Sequence, residues 1–165
     1  LKDKWDEDCI IITIDDDTVY DSYLIENLIN DYNRENCSIG YRGFTPLFDK
    51  VENFEYKKRD KKQNLSLYNF LTGKGGILYK PQFFYKTHDL IFNDKIYLDT
   101  CPTADDIWFY IVRLLNNVKC YLDNKQWEVK DLTNYGLFHT FNMKGNNKLF
   151  KNTFQKLKDL GYNVS

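Results

Sequence analysis

Neither sign of charge dominates this chain of 165 residues: 23 lysines and arginines stand against 24 aspartates and glutamates, for a net charge of −1. That balance offers no electrostatic footprint for nucleic acid or for an anionic membrane surface. Long apolar runs are missing too. No stretch approaches the ~18 residues a bilayer-spanning helix needs, and no secretory signal is visible. The four cysteines, Cys9, Cys37, Cys101 and Cys120, form no CxxC pair, and three lie in or beside apolar segments. This favours reduced, buried thiols over zinc ligands or a disulfide framework, and with them a cytosolic setting. Repeats and low-complexity tracts are absent. The aromatic share of 17% is high but spread along the chain, so compositional bias explains it better than a binding surface does. The length suits one domain that buries roughly two thirds of its unfolded surface. The chain opens at Leu1, and the polar LKDKWDED runs straight into an apolar strand. That start leads us to expect a piece of a longer protein.

What the sequence does have is concentrated in Cys9 to Tyr20, CIIITIDDDTVY. Ile10, Ile11, Ile12 and Ile14 make a β-branched run of the length and type expected for a covered, central strand in an α/β sheet. Asp15, Asp16 and Asp17 follow at its carboxyl end, where ligands of open α/β sheets collect. Carboxylates there are hard oxygen donors suited to Mg²⁺ or Mn²⁺ and to a phosphate the metal carries. Without a cation, three adjacent carboxylates in a cleft repel one another with little screening.

Further along, Asp21 to Arg34 carries apolar positions at helical spacing, with Asp21 or Ser22 as the expected N-cap. A short strand is expected at Cys37 to Tyr41, broken by Arg42-Gly43. Leu47 to Tyr56 and Asn64 to Thr72 read as strands around KKRDKKQN, a solvated hairpin loop, and a β-rich flap from Leu47 to Tyr79 should sit beside the aspartates. Gly73-Lys74-Gly75-Gly76 lacks the spacing and the Ser or Thr of a Walker A loop. Ala104 to Asn117 repeats Ile107, Tyr110, Ile111, Leu114 and Leu115 as an amphipathic helix. A strand at Val118 to Leu122 and a closing helix at Lys148 to Leu160, stopped by Gly161, complete the reading. The order predicts an α/β fold with a mixed sheet flanked by helices.

A second acidic pair, Asp105-Asp106 in CPTADDIWF, opens the helix at Ala104. Its structural explanation is a capping box, with Thr103 as N-cap and Asp106 at N3. Its chemical explanation requires that it meet the first cluster in space. Taken in order, IIITIDDDTVY, GYRG, GKGGILYKP and CPTADDIWF resemble bacterial glycosyltransferases of the glycosyltransferase-A fold, close to family two. The resemblance spans residues 9 to about 120 and implies a partial fold of that type, since nothing before Asp15 corresponds to the nucleoside-binding half. It implies that Asp15 and Asp17 bind Mn²⁺ or Mg²⁺ bridging the diphosphate of a nucleotide-sugar. It further implies that Asp16, Arg42, Gly75 and Gly76 contact that donor. Asp106 would be the base, and Asp105 its partner in holding the acceptor hydroxyl. The acceptor would be a glycan or a lipid-linked saccharide, and the enzyme cytoplasmic, at or beside the membrane. His139, in GLFHTF, stands where some relatives have a third metal ligand; a structural histidine is the alternative there.

Two other readings stay open. Asp15-Asp16-Asp17-Thr18-Val19 also satisfies D-x-D-x-[TV], the first motif of haloacid-dehalogenase-type phosphatases, with Asp15 as nucleophile, Asp17 as general acid and Asp105-Asp106 as the later Mg²⁺-binding acids. Against it, Gly normally follows the second aspartate, and Cys101-Pro102-Thr103 rather than a buried strand precedes the later acids. The third reading is a truncated module that binds metal or sugar without turnover.

Overall fold

The computed structural model describes residues 8–56, 59–60, 62–124, 130–131 and 143–163. In chain order the elements are β1 (Ile11–Thr13), β2 (Thr18–Val19), α1 (Leu24–Glu35), β3 (Ser38–Gly40), β4 (Gly43–Pro46), β5 (Arg59–Asp60), β6 (Asn64–Ser66), β7 (Phe70–Leu71), β8 (Ile77–Tyr79), α2 (His88–Ile91), α3 (Asp94–Thr100), α4 (Asp105–Leu115), β9 (Cys120–Leu122), β10 (Lys130–Asp131) and α5 (Met143–Asp159). The main sheet runs β1-β8-β3-β9-β6. Only β3 and β9 are parallel; the other three pairings are antiparallel, so the sheet is mixed.

Alternation along β8 divides the interior, as the two-residue period of a strand requires. Ile77 and Tyr79 join the larger apolar cluster with Ile107, Ile111, Phe150 and Leu157 of α4 and α5. Leu78 points the other way, into a smaller cluster with Ile39, Tyr41 and, from α1, Leu24 and Leu28. Helices thus cover both faces, and α1 is fixed further by Asp31, which is buried and accepts a 2.7 Å hydrogen bond from Tyr41 Oη. Cys37, Cys101 and Cys120 are all buried.

Several expected elements shift. The isoleucine strand is shorter than Cys9–Ile14 and, among the described strands, lies at the sheet's edge rather than its centre. Ile10 and Ile14 are 37% and 56% exposed, so the β-branched run reports strand propensity more than burial there. The first turn of α1 starts at Leu24 after an N-cap at Tyr23; Asp21 instead accepts from the Tyr23 amide through its own side chain, at 2.8 Å. Leu47 to Tyr56 is not a strand. Pairing comes earlier, at Gly43–Pro46, and the chain then turns where Asp49 Oδ1 accepts from Lys50 N and Asn53 Nδ2. Of the expected KKRDKKQN loop, Arg59 and Asp60 form β5 against β4, while Lys57, Lys58 and Lys61 lie outside the described residues. The last helix begins at Met143, earlier than Lys148, and ends before Gly161 at φ 90°.

The stretch Asn64–Thr72 becomes two strands in two sheets. β6 pairs with β9, whereas β7 pairs with β4 in the smaller sheet β5-β4-β7. The corner between them is held by Arg113 of α4, which is only 2% exposed. Its guanidinium donates to Leu67 O at 2.8 Å, to Asn69 O at 2.6 Å, and to Val118 O. A planar fork with five donors satisfies three carbonyls at once, that of Asn69 in the interior and those of Leu67 and Val118 at its margin. We predict that Arg113→Ala costs at least about 3 kcal/mol in urea denaturation, because each buried orphaned group costs ~1–3 kcal/mol. Arg113→Lys should recover only part of that loss, since a lysine cannot span the three acceptors.

Candidate active site

The two acidic clusters meet at one backbone position, Gly73. This residue opens a 3₁₀ turn, Gly73–Gly75, directly after β7. Its amide donates to Asp106 Oδ1 at 2.8 Å. The point where a Cβ would stand on Gly73 lies 2.9 Å from Asp15 Oδ1 and 3.4 Å from Asp106 Oδ1. Carboxylates from the end of β1 and the start of α4 therefore face each other across a single residue that has no side chain.

Each aspartate is placed by its own local structure. Asp15 follows β1 in a turn whose amide donates to Tyr20 Oη at 2.8 Å, and Thr18 Oγ1 donates to Asp17 at 3.3 Å. Beyond the turn comes not α1 but β2, paired with β10 through Thr18↔Asp131 and Val19↔Lys130. Asp16 is exposed at the tip, while Asp15 and Asp17 are half-buried. On the other side, α4 has Ala104 as its N-cap, with no side-chain capping hydrogen bond. The N-cap is therefore Ala104 and not the expected Thr103, which puts Asp106 one position short of the capping-box partner's place. Asp106 turns away from its own helix and takes its hydrogen bond from Gly73.

The electrostatics follow from this crowding. Burial, then the neighbouring charge of Asp105, then that of Asp15, push the Asp106 carboxyl up to about 7, against the pull of the Gly73 amide and Arg42. Asp15 is also raised, first by burial, then by Asp105 and by Asp17, while Lys74 and Arg42 draw it down. Four carboxylates and two cations thus share one neighbourhood. Lys74 lies in the glycine-rich segment, where the sequence alone assigns it no role; the fold brings its charge to bear on Asp15.

Arg42 leaves β3 with its Nη1 donating to Thr72 Oγ1 at 2.9 Å, while its carbonyl accepts from the Thr72 amide, also at 2.9 Å. Gly75 is buried against it: a Cβ there would stand 2.3 Å from Arg42 Cβ and 2.5 Å from Arg42 N. Gly76 has φ 80°, the left-handed region that glycine tolerates best. These two glycines let the turn close against Arg42, which keeps its guanidinium beside the acidic groups. His139 lies outside the described residues.

Among the described residues, no three His, Cys, Asp or Glu side chains gather as a ready-made metal cage. The donors still fit magnesium or manganese, which bind through one or two carboxylates and take water and substrate phosphate for the rest. Among the described residues, no helix is long and apolar enough to cross a membrane. Comparison of the chain with family models, curated proteins and solved structures finds no match.

The raised Asp106 carboxyl has a consequence for stability. Its value is 3.8 in an unperturbed chain and about 7 in the fold, so between those values the native state holds a proton that the unfolded state has lost. The contribution is fully present below about pH 4 and disappears as pH rises through about 7. Wild type should therefore lose stability over that range relative to Asp106→Asn, as read from denaturant midpoints at a series of pH values. Parallel curves for the two proteins would contradict the placement of this group.

Proposed function

We propose that this chain carries the metal- and acceptor-side groups of an inverting glycosyltransferase of the glycosyltransferase-A type. The reaction moves a sugar from a nucleotide-sugar to a hydroxyl of a glycan or lipid-linked acceptor. One observation carries the reading: Asp15 and Asp106, far apart in sequence, both border Gly73, and Asp106 is hydrogen-bonded to it rather than capping its helix. A capping role would have left the two clusters unrelated.

In this reading Asp106 is the general base. The Gly73 amide holds one carboxylate oxygen and leaves the other to take a proton, and an affinity near 7 suits a base working near neutral pH. The acceptor oxygen attacks the anomeric carbon as the bond from that carbon to the diphosphate breaks. The acceptor proton passes to Asp106, and the nucleoside diphosphate departs with the bonding electron pair. A single displacement inverts the anomeric centre. Asp15 and Asp17 would hold Mn²⁺ or Mg²⁺, which when bound neutralises charge on the departing diphosphate. Arg42 and Lys74 add fixed positive charge on the Asp15 side, where that charge develops.

The reading is tested on the full-length protein with Asp106→Asn. Losing a general base costs ~10²–10⁴ in rate. We expect sugar transfer to fall by that much across a panel of nucleotide-sugars while the variant melts no lower than wild type at neutral pH. Full activity in the variant would remove Asp106 from the chemistry. Steady hydrolysis of a generic phosphomonoester, lost in Asp15→Asn, would replace the reading with phosphoryl transfer. For the metal, calorimetry should show Mn²⁺ binding that weakens in Asp17→Asn.

A further inference from the structure

Glycines are usually required where φ is positive or where backbones touch, and Gly76 and Gly75 meet those two conditions in turn. Gly73 meets neither. Positive φ among the described glycines is confined to Gly76 and Gly161. Beyond Gly73 and its two chain neighbours, the three heavy atoms nearest its absent Cβ are Asp15 Oδ1, Asp106 Oδ1 and Asp15 Cγ, all at the ends of side chains. Neither the backbone angle nor the packing of the core demands a glycine there.

We propose that Gly73 is a positioning residue, whose amide orients Asp106 and whose missing side chain sets the spacing between the Asp15 and Asp106 carboxylates that a metal-bound diphosphate and an acceptor hydroxyl require. The inference rests on the glycosyltransferase reading above and assigns this residue its part in it. A methyl group at 2.9 Å from Asp15 Oδ1 is closer than real contacts of that kind, so the carboxylate must move. At 3.4 Å, Asp106 Oδ1 is left in tight contact while its hydrogen bond to the amide survives. Because the displaced atom ends a flexible side chain, the fold absorbs the change cheaply, and the ligand site bears it. The charge of Lys74, the next residue in the turn, also acts on Asp15, so a shift of that carboxylate changes its electrostatic setting as well as its position.

The test uses Gly73→Ala in the full chain, with Mn²⁺ and inorganic pyrophosphate as the probe pair, read by calorimetry, and with thermal unfolding followed in parallel. We expect affinity for the pair to fall about tenfold or more, equivalent to ~1.4 kcal/mol, at an unchanged melting temperature. If Gly73 acts through Asp15, the double variant with Asp15→Asn should bind no more weakly than Asp15→Asn alone, since residues in contact combine non-additively. Equal binding by Gly73→Ala and wild type overturns the inference and leaves the glycosyltransferase reading standing. A variant that melts well below wild type overturns it too, because the glycine would then serve the fold. Wild type that binds neither Mn²⁺ nor the pair removes the metal reading and this inference together.

Discussion

The hydrogen bond from the Gly73 amide to Asp106 is the contact on which the candidate site depends. It ties the start of α4 to the turn after β7, and that turn borders both acidic clusters. Without it, Asp106 would be one of two acids in the first turn of a helix, a common and chemically silent arrangement. With it, a carboxylate is held against a backbone donor in a buried position, where desolvation first and then the charges of Asp105 and Asp15 raise it to about 7 despite that donor.

That bond is possible because other interactions deliver the turn to the right place. Arg113 holds the Leu67–Asn69 corner, so the chain leaves β6, enters the smaller sheet as β7 and emerges at Gly73. Gly75 then lets the turn lie directly on the Arg42 backbone, and Thr72 binds both the main chain and the guanidinium of that arginine. A buried arginine in the core and an exposed one at the site thus secure the two ends of the same short segment. The energetic logic is that of interior polar groups in general: each is tolerable only with its partners in place, so together they specify one geometry.

Much of the secondary structure was legible. The 3.6-residue period of Ile107, Tyr110, Ile111, Leu114 and Leu115 marked α4 nearly to its ends, and an order that opens as α/β and continues with consecutive strands pointed to a mixed sheet. Boundaries failed where side chains competed with local propensity. Asp49 turned an apolar segment away from strand geometry, and Arg113 broke another into two strands. The edge position of β1 was hidden because β-branched residues favour strands wherever those strands lie.

For the site, the sequence by itself determined which residue types were available: aspartates at a strand end, an acidic pair opening a helix, and a glycine-rich turn between them. Those are properties of local order, and they survive in any fold the chain adopts. Only the tertiary structure decided that Asp15 and Asp106 face each other across Gly73, that Ala104 and not Thr103 is the N-cap of α4, and that the charge of Lys74 acts on Asp15. The physical reason is distance. A carboxylate's role depends on what lies within a few ångströms, and those neighbours come from β1, the turn after β7 and α4, whose meeting is set by a core no local motif encodes.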